Sequence, residues 1–302
     1  MKNLISLLLA LALCLGMTAL AAPDQDRAGN PIALPESVEK IVTLAPSTTE
    51  VLVDMGLSDK IIAIDTYSAQ YAPELAALPQ FDLMTPDVEQ LAALEPDVIF
   101  ITGMSLSGGD NPYQGLIELG IPVVEIPSSD TLADIALDVR FIGECVGEAD
   151  AANELAESFE AEIEAIRALG EGVAEKKTVA IEVSALPYLY YAGGGSYMDE
   201  MIQIIGAVNA YGDQPAWAGV TEEAAVAVNP DVILTANYYM DDPVGEILGR
   251  EGWGEVAAVA NGDVYAVDDS INRPNHRLTA VLWQMLEFVY PEFIDSDLAA
   301  AA

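Results

Sequence analysis

The chain reads as an α/β protein of two lobes, each with a parallel-rich sheet, joined by one long helix and enclosing a ligand cleft. Three observations predict this. Glu89-Gln90-Leu91-Ala92-Ala93-Leu94-Glu95-Pro96-Asp97-Val98-Ile99 recurs as Glu223-Ala224-Ala225-Val226-Ala227-Val228-Asn229-Pro230-Asp231-Val232-Ile233. One unit of short helix, Pro-Asp turn and buried strand therefore appears once in each half. Short, nearly unbroken apolar runs alternate with helical stretches, as parallel strands buried on both faces require. Between the halves, residues 150–170 switch to one continuous helical period. Each lobe then reads as Rossmann-like.

In order along the chain, residues 23–37 are polar and proline-rich and read as an irregular lead-in. Lys40 to Leu44 is a first strand, followed by Ala45-Pro46. Ser47-Thr48-Thr49-Glu50 has the hydroxyl-to-glutamate spacing of a capping box, for a helix reaching Met55. Lys60 to Ile64, Asp97 to Ile101 and Pro122 to Ile126 read as three more strands. From Asp150 to Leu169, Leu155, Phe159, Ile163 and Ile166 form one apolar stripe, and Glu154, Glu157, Glu160, Glu162 and Glu164 fall off it. Asp150 suits an N-cap and Gly170 a stop. Those glutamates read as a solvated face rather than a metal site. The second lobe begins with a strand from Lys177 to Val183. A helix from Tyr197 to Ile205, strands Asp231 to Leu234 and Val264 to Val267, and a helix from His276 to Val289 follow.

The resulting division is 1–22 leader, 23–149 N-terminal lobe, 150–170 linking helix, 171–295 C-terminal lobe and 296–302 tail. A single rigid crossing permits modest tilting only, so the cleft is expected to be largely formed before a ligand arrives.

With 302 residues and 52% hydrophobic composition the chain can fill two cores. Its 11 Lys and Arg against 49 Asp and Glu, net −38, exclude nucleic acid as a partner and disfavour an anionic membrane surface. Lys2, the apolar run Leu4 to Leu15 and Ala19-Leu20-Ala21 form an export leader cleaved after Ala21 or Ala22. The mature protein is expected outside the cytoplasmic membrane, periplasmic or at the cell surface. Cys14 invites lipid anchoring, but Leu13 stands where that processing wants a small residue. Loss of the leader leaves only Cys145, so no internal disulfide can form, and its apolar neighbours suit a buried thiol.

The order and spacing of Lys40 to Glu50, Leu94-Glu95-Pro96-Asp97-Val98-Ile99, Val220-Thr221-Glu222-Glu223, Asn229 to Ile233 and Asn261-Gly262-Asp263-Val264-Tyr265 resemble the helical-backbone substrate-binding proteins of ABC importers. The resemblance covers about residues 30–292. It implies capture of a metal chelate, of iron-siderophore, haem or cobalamin type. It also implies delivery to a permease with a cytoplasmic ATPase, by a monomer with no cofactor of its own. In that family a glutamate on each lobe docks onto permease arginines, and Glu89 and Glu223 occupy the matching positions. Glu222 is a neighbouring substitute.

In paired α/β lobes the ligand sits outside the carboxyl ends of the strands. The segments there offer Ser47, Thr48, Tyr67, Met104, Tyr188, Tyr190, Tyr191, Tyr197, Trp217, Tyr238, Tyr239, Arg273 and His276 as ligand-binding candidates. Tyrosine rings suit a large semi-rigid chelate, although alternate strand positions would point some into the core. His276, the only histidine, either meets the ligand or is a helix-start residue without a ligand role. One histidine makes a bare zinc or manganese cage improbable. Only Arg273 and Arg277 supply positive charge near the cleft, so neutral hydroxamates, corrinoids and haem rank above anionic catecholates.

The competing reading is an extracytoplasmic enzyme, a hydrolase or chelatase-like catalyst, using the same cleft. The chain lacks G-x-S-x-G and H-E-x-x-H, and a histidine triad could draw only on His276. Gly108-Gly109 and Gly193-Gly194-Gly195 follow no strand in dinucleotide-binding spacing. A catalytic site is therefore not expected.

Overall fold

The computed structural model describes residues 22–293 apart from 107 and 110; the leader through Ala21, Cys14 and the tail lie outside it. Lobe 1 holds β1 (Ile41–Leu44), α1 (Pro46–Asp54), β2 (Ile61–Asp65), α2 (Ser68–Tyr71), β3 (Gln80–Phe81), α3 (Val88–Ala93), β4 (Val98–Thr102), α4 (Gln114–Glu118), β5 (Val123–Ile126) and α5 (Leu132–Val146). Its sheet is parallel throughout, in the order β3-β2-β1-β4-β5. Val42 and Leu44 face one buried cluster and Ile41 the other, the period-2 alternation of a strand covered on both sides.

The linking helix α6 (Ala149–Gly170) leads into β6 (Thr178–Ser184), β7 (Tyr190–Ala192), α7 (Tyr197–Ile204), β8 (Val208–Asn209), β9 (Trp217–Gly219), α8 (Glu222–Val228), β10 (Val232–Thr235), α9 (Pro243–Leu248), α10 (Ala257–Asn261), β11 (Val264–Ala266) and α11 (Leu278–Val289). The second sheet runs β11-β10-β6-β7-β9, with β8 also on β6. β7 and β9 are antiparallel, and these short strands, like β3, carry too few residues to show a period in sequence.

Helix α6 spans about 33 Å. It buries Ala152, Ala156, Phe159, Ile163, Ile166 and Leu169. Two close approaches fix it. Gly143 of α5 lies where an added Cβ would come within 2.2 Å of the Ala152 Cβ, and Gly170 where one would meet the Ile204 carbonyl at 2.1 Å. Gly170 is thus the last residue of the helix, selected by backbone contact with lobe 2 and not as a stop beyond it. Asp150 lies inside the helix, and Glu148 at the N-cap makes no side-chain capping bond. One apolar cluster runs from Ile41 through Phe159 and Ile166 to Leu282, so the two lobes share a core along this helix.

The capping box is also corrected. Helix α1 starts at Pro46 with Ala45 as an unassisted N-cap, because proline at the first position is already preset for the helix. Glu50 is released from capping and is buried at the seam between the lobes. The lead-in is less irregular than expected. Asp26 accepts from the backbone of Ala28, Asn30 and Glu125, and so folds residues 25–31 into a turn against β5.

The sequence repeat is a structural repeat. The Asp97 N–H donates to the Lys40 carbonyl, and its carboxylate accepts the N–H groups of Glu39 and Lys40. Asp231 does the same to Thr178 at the start of β6. In each lobe this aspartate sets the start of the central strand pair.

Candidate functional site

In lobe 1 the strand order reverses between β1 and β4, and the crevice outside their carboxyl ends is the expected place for a ligand. A cleft of about 250 Å³ lies there, between the lobes. Lobe 1 supplies Pro46 and Ser47 after β1, Tyr67 and Tyr71 after β2, Thr102 and Met104 after β4, and Ile126 to Ser129 after β5. Lobe 2 supplies Tyr238 after β10, and Asp269 with Asn272, Arg273 and Pro274 after β11. Of the sequence candidates, Ser47, Tyr67, Met104, Tyr238 and Arg273 meet here.

The others do not line the cleft. Thr48 is buried beneath Ser47. Tyr191 is a core residue, stacked on Tyr211 at 4.4 Å, with its hydroxyl donating to Glu182. Tyr197 is likewise buried and donates to the Ile271 carbonyl at 2.6 Å. Both correct the expectation of ligand contact: one strand face and one helix face turn inward, and burial pushes both phenol pKa values up. Tyr188, Tyr190 and Trp217 are exposed on lobe 2 away from this cavity. The Tyr239 hydroxyl accepts the Ala185 N–H at 2.9 Å.

His276 faces the seam, not the cleft. Its Nε2 lies 2.7 Å from Asp54. Asp54 also accepts from Arg277 Nε and NH2 at 2.7 and 2.9 Å. Burial would raise the Asp54 pKa, but hydrogen bonds from His276 and Arg277 outweigh it and hold the carboxyl well below its usual range. One helical turn earlier Glu50, 1% exposed, accepts from Arg273 Nε at 3.2 Å, Asn275 Nδ2 at 2.5 Å and Arg277 NH1 at 2.9 Å. Residues 273–277 of lobe 2 therefore grip two carboxylates of α1 spaced i, i+4.

Sequence reasoning missed Glu50, Asp138 and Asp269. A signal did exist for the first: acids at 50 and 54 match arginines at 273 and 277. The Arg273 guanidinium lies 3.4 Å from the Tyr71 ring centroid. Burial, only partly opposed by Arg273, pushes the Tyr71 hydroxyl up to about 12. Asp138 lines the cleft but is tied to Arg27 Nε and Ser129 Oγ, both at 2.5 Å; burial raises its pKa. Beneath the cleft, Asp65, Ser68, Thr49 and Thr43 form a buried hydrogen-bonded chain. In lobe 2, Glu182 takes a bidentate pair from Arg250 at 2.7 and 2.9 Å, which fixes the Tyr191 side of β6.

Glu89 and Glu223 are both exposed, each in the first turn of its helix, α3 and α8. The Glu223 carboxyl is held below its usual range by its own backbone N–H and then by Thr221. Glu222 is engaged elsewhere, accepting from Trp253 Nε1 at 3.0 Å, so Glu223 is the outward-facing member of the pair. Among the described residues no three His, Cys, Asp or Glu side chains gather as a metal site, and no helix is long and apolar enough to cross a membrane.

The periplasmic binding protein family model matches residues 41–271, which take in both sheets and the linking helix. The chain belongs to the periplasmic binding protein family. It is 31% identical over 270 residues to the uncharacterized ABC transporter substrate-binding lipoprotein YvrC of Bacillus subtilis (strain 168), covering 88% of this chain and 85% of that protein. It is 25% identical over 255 residues to the vitamin B12-binding protein of Vibrio parahaemolyticus, with 83% and 90% covered. Its fold is similar to that of the periplasmic heme-binding protein RhuT from Roseiflexus sp. RS-1, with a TM-score of 0.73, 21% identity, and 85% and 100% of the two chains covered.

Proposed function

We propose that this family member is the extracytoplasmic substrate-binding component of an ABC importer, capturing a metal chelate between its lobes and delivering it to the permease. The observation that carries this reading is a cleft at the strand ends combined with two exposed glutamates, Glu89 and Glu223, at repeated positions on the two lobes. The similarity to an ABC transporter substrate-binding lipoprotein and to a vitamin B12-binding protein supports it. Carboxylates so placed would meet arginine forks of a permease and set orientation more than affinity.

The rings of Tyr67, Tyr71 and Tyr238, with Met104, Ile126 and Pro127, suit a broad and largely apolar cargo. Corrinoids, haem and neutral ferric hydroxamates fit this lining better than catecholates. If the cargo is haem, Tyr67 and Tyr238 are the cleft phenols available as an axial ligand, because the Tyr71 ring is covered by Arg273 and His276 is held in the seam by Asp54. The leader and the family support work outside the cytoplasmic membrane.

The test is absorbance of the protein purified from rich medium, followed by titration with haem, cobalamin and a ferric hydroxamate. A Soret or corrin band, or saturable quenching by one chelate, is expected. Tyr67→Ala with Tyr238→Ala should weaken that binding by roughly tenfold or more. A colourless protein that binds none of the three and turns over an ester or phosphate would replace this reading with the enzyme.

A further inference from the structure

Arg273 is the one cationic side chain on the cleft wall among the described residues, and it is not free to meet an anion. Its Nε and NH2 face Glu50 at 3.2 and 3.5 Å. Its NH1 faces the Asp269 carbonyl and carboxylate at 3.1 and 3.2 Å, and one face of the guanidinium covers Tyr71. Glu50 cannot swing away as a surface carboxylate would. It is buried on α1 and also accepts from Asn275 and Arg277.

We infer that Glu50 is a positioning residue that works through Arg273: it holds the guanidinium flat against Tyr71, neutralises it, and so sets the cleft against strongly anionic cargo. This rests on the cleft being the ligand site. The nearby charges agree with it. Asp138 on the same wall is tied to Arg27, so the wall and its supports carry three arginines, Arg27, Arg273 and Arg277, against four carboxylates, Glu50, Asp54, Asp138 and Asp269. A carboxylate or catecholate oxygen approaching Arg273 would have to displace a buried acid already in place. A partly buried arginine held between two carboxylates gives an incoming anion little net attraction. A neutral, flat cargo pays no such penalty and can lie over the Arg273–Tyr71 plate.

The experiment measures the affinity of a neutral ferric trihydroxamate and a trianionic ferric tricatecholate for wild type, Glu50→Gln and Asp269→Asn by tryptophan quenching. Wild type should favour the neutral probe. Glu50→Gln should narrow the preference by roughly tenfold, mainly through tighter binding of the anion, and Asp269→Asn by roughly threefold. Asp269 is nearer the surface, so its variant serves if Glu50→Gln does not fold. A preference unchanged in the folded variants overturns the assignment.

A second arm needs no chelate. In protein labelled with nitrogen-15 arginine, citrate should leave the Arg273 Nε–H resonance in place in wild type and move it in either variant. An identical response in all three overturns the role of Glu50 even if neither chelate binds. Failure of both chelates to bind, with the citrate difference present, would instead remove the chelate reading alone.

Discussion

Glu95 and Asn229 occupy the same place in the two lobes, each left-handed at φ 50° and 51° immediately before a Pro-Asp. They are the only non-glycine residues with positive φ among those described. A residue before proline is kept out of the right-handed helical region, and a left-handed residue is a common way to end a helix. The short helices α3 and α8 therefore stop at equivalent points and deliver Asp97 and Asp231 to the strand starts. Repeated sequence here means repeated backbone.

Asparagine tolerates the left-handed region better than glutamate does. Glu95→Gly should therefore stabilise the protein by up to about 1 kcal/mol, and Asn229→Gly should change stability by less than about half that. Urea unfolding checks this. A clear loss on Glu95→Gly would mean that its side chain, which lies 3.7 Å from Lys40, matters more than its backbone.

Glu89→Arg combined with Glu223→Arg should abolish chelate uptake in cells or vesicles carrying the cognate permease. Ligand affinity in solution should stay within about twofold, because both residues are exposed and away from the cleft lining. A matching loss of affinity would withdraw the docking role.

Asp54 links acidity to the seam. Its folded pKa is depressed, so its contribution is complete above the ordinary aspartate value of about 3.9 and is lost as pH falls through the folded value. Asp54→Asn should cost about 1–2 kcal/mol at pH 7, allowing for its partial exposure to solvent. The gap to wild type should shrink steadily below about pH 4. Thermal unfolding from pH 3 to pH 7 reads this directly. A gap independent of pH would assign the loss to shape and not to charge.

Gly170→Ala sets helix propensity against a backbone clash. Alanine gains about 1 kcal/mol within a helix. A Cβ within 2.1 Å of the Ile204 carbonyl forces the α6 terminus off lobe 2, at about 1–3 kcal/mol or more. Net destabilisation is expected, together with a broader distribution of distances between spin labels placed on the two lobes. Unchanged stability and distances would remove this contact as the anchor of the linking helix.

The elements with strong periods were legible in the chain. The stripe Phe159-Ile163-Ile166 announced α6, and the Pro-Asp-Val-Ile runs announced β4 and β10, because burial on one helical stripe or on both strand faces writes itself into local order. The two outward glutamates were legible for the same reason: a repeat preserves position. Strands β3, β7, β8 and β9 were not, since two or three residues carry no period and are held by their neighbours.

The site divides in the same way. Sequence placed Ser47, Tyr67, Met104, Tyr238 and Arg273 at strand ends, and these ends converge on the cleft. It could not separate them from Tyr191 and Tyr197, whose side chains face the core, because composition is blind to which way a tyrosine points. Nor did it pair Glu50 with Arg273 across more than two hundred residues, although the spacing of the acids at 50 and 54 matches that of the arginines at 273 and 277. The chain by itself determined two repeated α/β lobes, the long helix between them and their acidity, all of which follow from local pattern and composition. Only the tertiary structure decided which aromatic rings see the cleft and which charges cancel at the seam, because the first depends on how lobe 2 packs its own core and the second on contacts between the lobes.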